Sequence, residues 1–208
     1  WQIFESGSSG LAAMATLWGA EPILLPAAAD HVDAIAAALA DVEADLIVTV
    51  GGASVGDHDL VKPALARFGL ELRVETVAVR PGKPTWFGTL SDGRKVLGLP
   101  GNPASAFVCA QLFLQPLILA MLGRPAEPAL RRAILAAPLP ANDLREQWMR
   151  ARLGFTDDGR VTIEAFARQD SSLVGVFSRA DALLVREAGA PPASAGDTVG
   201  FLALERFA

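Results

Sequence analysis

The chain has a single cysteine, Cys109. That excludes an internal disulfide, and a lone thiol inside an apolar run is expected to pack in a core, which suits a reducing, cytoplasmic compartment. Basic excess is lacking too. Lys and Arg total 18 against 23 Asp and Glu, a net charge of −5, so a non-specific nucleic-acid binder is excluded and any anion site must be built locally. The opening residues, Trp1-Gln2-Ile3-Phe4-Glu5, have neither the basic flank nor the apolar stretch of a signal peptide. They also lack an initiator methionine, from which a piece of a longer protein is expected. No membrane span is expected: the most apolar segment, Ala104 to Leu122, is interrupted by Gln111, Gln115 and Pro116 and reads as a buried helix. His31 and His58 each lack a second histidine or a cysteine nearby in sequence and read as surface or capping residues. There is no internal repeat.

What is present suits a globular protein. Half of the 208 residues are hydrophobic, enough for one large domain or two smaller ones. Apolar spacing predicts helices from Ser6 to Trp18, from Val32 to Val42 with Asp30 as N-cap, and after Leu60 up to Gly69. Strands are expected at Pro22–Leu25, Asp45–Val50, Leu72–Val79, Thr85–Leu90 and Lys95–Leu99, with Ser91-Asp92-Gly93 as a turn. This alternation argues for an α/β fold with a mainly parallel sheet over residues 1–123. Residues 124–130 read as a linker. Short strands then recur at Arg132–Leu135, Gln147–Leu153, Val161–Phe166, Leu173–Phe177, Ala182–Arg186 and Val199–Leu204, so 131–208 is expected to be a small all-β barrel or sandwich.

Three punctuated segments carry the chemistry. After the Asp45–Val50 strand comes Gly51-Gly52-Ala53-Ser54-Val55-Gly56-Asp57-His58-Asp59. A glycine-rich turn entering a helix exposes backbone N–H groups to an anion. Asp57 and Asp59 would repel phosphate unless a divalent cation lay between, so they suggest a metal-assisted site, and either could instead cap the helix. The second segment, Arg80-Pro81-Gly82-Lys83-Pro84, is a turn with two cations, suited to an oxyanion or to plain solvent exposure. The third, Pro100-Gly101-Asn102-Pro103-Ala104-Ser105, opens a helix, with Asn102 at the N-cap and Pro103 at the first helical position. In an open α/β sheet ligands bind at the carboxyl ends of strands, so the three segments are expected to face one pocket.

Taken together, these segments resemble the molybdopterin molybdenumtransferase family, the MoeA and gephyrin E-domain family. The match runs from about Gln2 to Leu122, and more loosely through the β-rich tail. The resemblance implies a three-layer, MogA-like molybdopterin-binding domain followed by a β-barrel. It implies the last step of molybdenum cofactor synthesis: Mg²⁺-dependent insertion of molybdate into adenylylated molybdopterin, with release of AMP. Asp30, Asp59 and Lys83 would be catalytic, with Asp59 and Asp57 on the metal. Gly51, Gly52, Ser54, Gly56, Asp57, Pro81, Gly82, Pro100, Gly101, Asn102 and Pro103 would line the molybdopterin path. Arg80, Lys83, Ser105, Arg150 and Ser171 would hold molybdate. A homodimer is implied for the full-length form, with no nucleic-acid or membrane partner. Three departures stand out: Arg80 where the family usually has lysine, Thr76 where it often has a basic residue, and Glu5-Ser6-Gly7 where it has Asp-Ser/Thr-Asn. The family's upstream acidic motif and two N-terminal domains are missing, so inactivity of this piece alone is an expectation. The other readings are a molybdopterin adenylyltransferase and a non-catalytic binding or scaffold module.

Overall fold

A computed structural model describes residues 7–51, 59–170 and 174–204. In chain order its elements are α1 (Gly7–Leu17), α2 (Val32–Ala40), β1 (Leu46–Val50), α3 (Val61–Ala66), β2 (Glu71–Val74), β3 (Val79–Arg80), β4 (Trp86–Thr89), β5 (Lys95–Leu99), α4 (Pro103–Cys109), a π-helical stretch (Ala110–Leu114), α5 (Gln115–Met121), β6 (Arg131–Leu135), β7 (Glu146–Phe155), β8 (Val161–Ala165), α6 (Val174–Phe177), β9 (Ala182–Arg186) and β10 (Thr198–Ala203). Two compact units result: Trp1–Val77 with Gly82–Ala126, and Ala78–Pro81 with Glu127–Ala208.

In the first unit the sheet order is β1-β5-β4-β2. It is mixed, not mainly parallel. Only β1 and β5 run parallel, while β4 is antiparallel to both β5 and β2. The reason lies in the turn between β4 and β5. A connection as short as Ser91-Asp92-Gly93 can join only antiparallel neighbours; parallel ones need a crossover of a dozen or more residues. One sheet face presents Ile47, Val96, Trp86 and Leu72 to Leu39 and Ile35 of α2 and Leu65 and Val61 of α3. A fully buried leucine such as Leu65 stabilises the fold by about 2 kcal/mol. Leu97 and Leu99 alternate to the opposite face, where α4 packs on β5 and against α1. The α1–α4 contact is close: a Cβ on Gly10 would lie 2.6 Å from the Phe107 ring.

The expected buried stripe of α1 is present, with Leu11, Met14, Ala15 and Trp18 all buried. The N-cap of α2 is His31, not Asp30: its Nδ1 accepts from the Ala34 N–H at 3.1 Å. Asp30 lies one residue earlier and is exposed. Pro22–Leu25 forms no strand, and Ile23, Leu24 and Leu25 are exposed. Among the described residues no strand lies beside it, and an apolar run has no ladder without a partner. Pro103 to Met121 is one continuous helix, apolar and long enough to cross a membrane on length and composition alone. Its residues Ala104–Ala110, Leu114 and Ile118 are nonetheless buried within this unit. Pro116 accounts for the π stretch, because it cannot donate to the carbonyl four residues back, and its ring crowds that carbonyl. The helix widens, and Gln115 N–H reaches Ala110 O instead.

In the second unit β7, β8, β6, β10 and β9 form a ring closed by the β7–β9 pairing. That is a five-stranded barrel, whose core holds Ala133, Leu135, Ala151, Ile163, Leu184, Val199 and Phe201. Closure removes the sheet edges that would otherwise invite aggregation. Val79–Arg80 pairs in parallel with Glu146 and Gln147 of β7. The expected single strand Leu72–Val79 is therefore two strands in two sheets. The Leu173–Phe177 segment is no strand over its described part; Val174–Phe177 is one helical turn. The ring needs no further strand, so the run has no edge to join.

Candidate functional site

The register of the first sheet brings three chain segments to one edge. Val50, the last residue of β1, lies beside Leu99, the last of β5. Trp86, the first residue of the oppositely directed β4, pairs with Gly98. The loop after β1, the helix entrance after β5 and the turn before β4 therefore share one end of the sheet. The basic turn follows β3, a strand of the other sheet, and precedes β4. Antiparallel direction carries it to the same end.

The two loops at the parallel pair nearly touch. Gly51 N–H donates to Leu99 O at 3.1 Å. A Cβ on Gly101 would sit 3.3 Å from the Gly51 Cα. Gly51 also has φ +83, a left-handed conformation that a side chain would strain. Pro100 is buried, and Gly101 and Asn102 are exposed. Asn102 takes the N-cap with extended backbone, and Pro103 begins α4. Ser105, in the first turn, is buried. The turn before β4 is held by Thr85 N–H donating to Gly82 O at 2.8 Å and Val77 N–H donating to Lys83 O at 3.2 Å. Gly82, at φ +127, makes the bend possible, and Lys83 is exposed. Gly52, Ser54, Gly56, Asp57 and Ser171 lie outside the described residues.

Asp59 leads into α3 and divides its carboxylate between two tasks. Oδ1 accepts from the Val61 N–H at 3.1 Å and the Lys62 N–H at 3.4 Å, which caps the helix. Oδ2 is buried and accepts no hydrogen bond; its neighbour is the Lys62 ammonium at 3.3 Å. A buried carboxylate oxygen without a donor is costly, and it suits a hard cation. Among the described residues no three His, Cys, Asp or Glu side chains cluster around a metal position. Mg²⁺ commonly takes one or two carboxylates and completes its shell with substrate phosphates and water, so Asp59 fits such an ion. Lys62 is a residue of this site that sequence reasoning missed. The available signal was its i,i+3 spacing from Asp59 and its place in the first turn of a helix, where the dipole disfavours a cation.

The remaining predicted cations belong to the second unit. Arg80 is there, not in the first domain, with Nη1 donating to Asp143 Oδ2 at 2.9 Å. Arg150, on β7, is 1% exposed. Its Nε donates to Gln169 Oε1 at 3.1 Å and its Nη1 to Asp170 O at 2.9 Å. Burial pushes its pKa down, and the Asp170 charge opposes that shift. Cys109 packs in the core as expected, and burial pushes its thiol pKa up to about 12.

Comparison with known proteins identifies the family of both units. Residues 1–120 match the family described as a probable molybdopterin binding domain, and residues 132–204 match the MoeA C-terminal region (domain IV). The chain is 35% identical over 162 residues to a molybdopterin molybdenumtransferase of Nostoc sp., covering 75% of this chain and 37% of that protein. It is 28% identical over 204 residues to the Bacillus subtilis protein of the same name, covering 97% of this chain and 47% of that one. Among solved structures, the molybdopterin biosynthesis MoeA protein of Pyrococcus horikoshii superposes with a TM-score of 0.81 at 25% identity, over 99% of this chain and 49% of its own length. The chain thus spans less than half the length of these relatives. With a family match over more than half its residues, this chain belongs to the molybdopterin-binding domain family, joined here to a MoeA-type C-terminal domain.

Proposed function

We propose that this chain supplies the molybdopterin-binding part of an enzyme that inserts molybdate into adenylylated molybdopterin. The reaction hydrolyses the phosphoanhydride, releases AMP and leaves the metal on the dithiolene sulfurs. The observation that carries the reading is the shared end of the first sheet, to which strand register brings the Gly51 loop, the Gly101 helix entrance and the Lys83 turn. The substrates are a pyrophosphate and a doubly charged oxyanion. Backbone N–H groups at the start of α4 suit the first, and the exposed ammonium of Lys83 suits the second. Ser105 belongs to the same reading as a hydroxyl at the α4 entrance. Asp59 Oδ2 is the metal ligand, and bound Mg²⁺ supplies a positive charge that neutralises the phosphoanhydride as it breaks. Asp30 and Asp57 are further acidic positions of the proposal. Arg80, Arg150 and Ser171 are not needed for it; the two arginines already have partners within the second unit. The same reading includes a cytoplasmic homodimer in the full-length form, which light scattering of that form tests.

The deciding experiment incubates the protein with adenylylated molybdopterin, molybdate and Mg²⁺, then measures AMP and cofactor. Formation of both supports the transferase. A parallel incubation of molybdopterin with ATP tests the adenylyltransferase, a reading the β-barrel domain disfavours because the resemblance there extends beyond the first domain. Binding without turnover in either would make the chain a binding or scaffold module.

A further inference from the structure

Lys62 occupies an unfavourable place for a lysine. It is the second residue of α3, at the positive end of the helix dipole, where a cation is disfavoured. Two contacts account for its position. Its Nζ lies 3.3 Å from Asp59 Oδ2 and 5.5 Å from the centroid of the Trp86 ring. Trp86 is almost wholly buried and cannot move aside, because its indole fills the space over Gly98, where a Cβ would lie 2.0 Å from Nε1. The ammonium is therefore held between a fixed aromatic face and the Asp59 oxygen that accepts no hydrogen bond. The two ends differ in freedom: the Asp59 side chain is 11% exposed and pinned by its capping bonds, whereas Lys62 is 31% exposed on a flexible stem.

Resting on the reading of Asp59 as the metal ligand, we propose that Lys62 is a resident counter-ion that a divalent cation must displace from Asp59. Without metal, Lys62 offsets the cost of the buried carboxylate. When a hard cation arrives, two positive centres cannot share Oδ2, so the ammonium swings toward solvent while Asp59 stays in place. Lys62 is then a positioning residue that sets the affinity of the site for the metal. It lowers occupancy by free ions and leaves binding to be completed by the anionic substrate.

The test uses the 208-residue chain without substrate and needs no turnover. Mn²⁺ serves as the probe, with free ion counted by electron paramagnetic resonance and thermal unfolding followed in parallel. Lys62→Met keeps the stem and its contact with Trp86 but removes the charge. It should bind Mn²⁺ roughly fivefold tighter than the unaltered chain, as expected for loss of a competing, partly exposed ion pair. Added Mn²⁺ should also raise its unfolding temperature more. Lys62→Arg keeps the charge and should stay within about twofold of the unaltered chain. A merely structural lysine would alter stability in both variants without tightening metal binding. Lys62→Gln replaces Lys62→Met if the latter fails to fold. Equal or weaker binding by the uncharged variant, with binding lost in Asp59→Asn, overturns the counter-ion role alone. Unchanged binding in Asp59→Asn, or no binding by any variant, overturns the metal reading as well.

Discussion

Asp59, at the entrance to α3, and Arg150, in the middle of β7, both hold charge largely away from solvent, and the two units treat them differently. Arg150 sits in the closed barrel with its Nε and Nη1 given to the Gln169 side chain and the Asp170 carbonyl, and Gln169 in turn donates to the carbonyls of Arg150 and Phe166. Its charge is met by these dipoles and by the nearby Asp170 carboxylate. Asp59 gives one oxygen to the helix, and its other oxygen faces the Lys62 ammonium. A charge whose bonds close locally stabilises the structure. A charge with one direction left open costs stability and is retained where a ligand will complete it.

The largest expected effect breaks this contrast on the Asp59 side. In the transferase assay Asp59→Asn should lower Mg²⁺-dependent AMP release by on the order of a hundredfold, while unfolding shifts little because the amide oxygen still caps α3. Equal losses of activity and stability would reduce Asp59 to a cap. Arg150→Met should do the reverse. Denaturant unfolding should show a loss of about 2 kcal/mol from stranding Gln169 and the Asp170 carbonyl, and Mn²⁺ binding should be unchanged. Lys83→Ala removes an exposed cation from a turn held by backbone bonds. Its melting curve should overlay the parent's, while the molybdate concentration for half-maximal activity rises roughly tenfold; an unaltered requirement would remove Lys83 from the site.

The smallest effect concerns a carboxylate with no ligand to wait for. Asp92 sits in the β4–β5 turn and accepts from the Arg94 N–H at 3.0 Å and from Arg94 Nε at 2.7 Å. The backbone bond, with the side-chain bond and charge of Arg94, holds its pKa below the ordinary 3.8. A depressed carboxylate stabilises the fold above its unfolded pKa, and that contribution is lost as pH falls through the folded value. Asp92→Asn should therefore slightly reduce stability at neutral pH and make no difference at pH 2, as read from paired unfolding curves. A difference that persisted at pH 2 would assign Asp92 to packing instead.

Much of this protein was legible in its residues. Period and caps located α1, β1, β5 and the long apolar helix, and the Asn102-Pro103 pair marked where α4 begins. Turn signals spaced the barrel strands, with β9 found to the residue. The Ser91-Asp92-Gly93 turn even held the information that the sheet is mixed. Such short-range features follow from backbone sterics and apolar spacing, which act within a few residues. What the residues could not show was pairing at a distance. That Val79–Arg80 joins the second unit depends on the start of β7, which runs beyond its pairing with β8, 66 residues further on from Arg80 at Glu146. That Pro22–Leu25 stays out of the sheet depends on which strands lie beside it. The capping of α2 by His31 rather than Asp30 was settled by where the first helical residue falls. The counter-ion contact of Lys62 needed the Trp86 ring, brought from 24 positions away by the register of β4 on β5. Local chemistry chose the elements and marked the loops able to bind an anion. Tertiary packing, acting between residues far apart in sequence, decided which of those loops share an edge and which buried charge was left open.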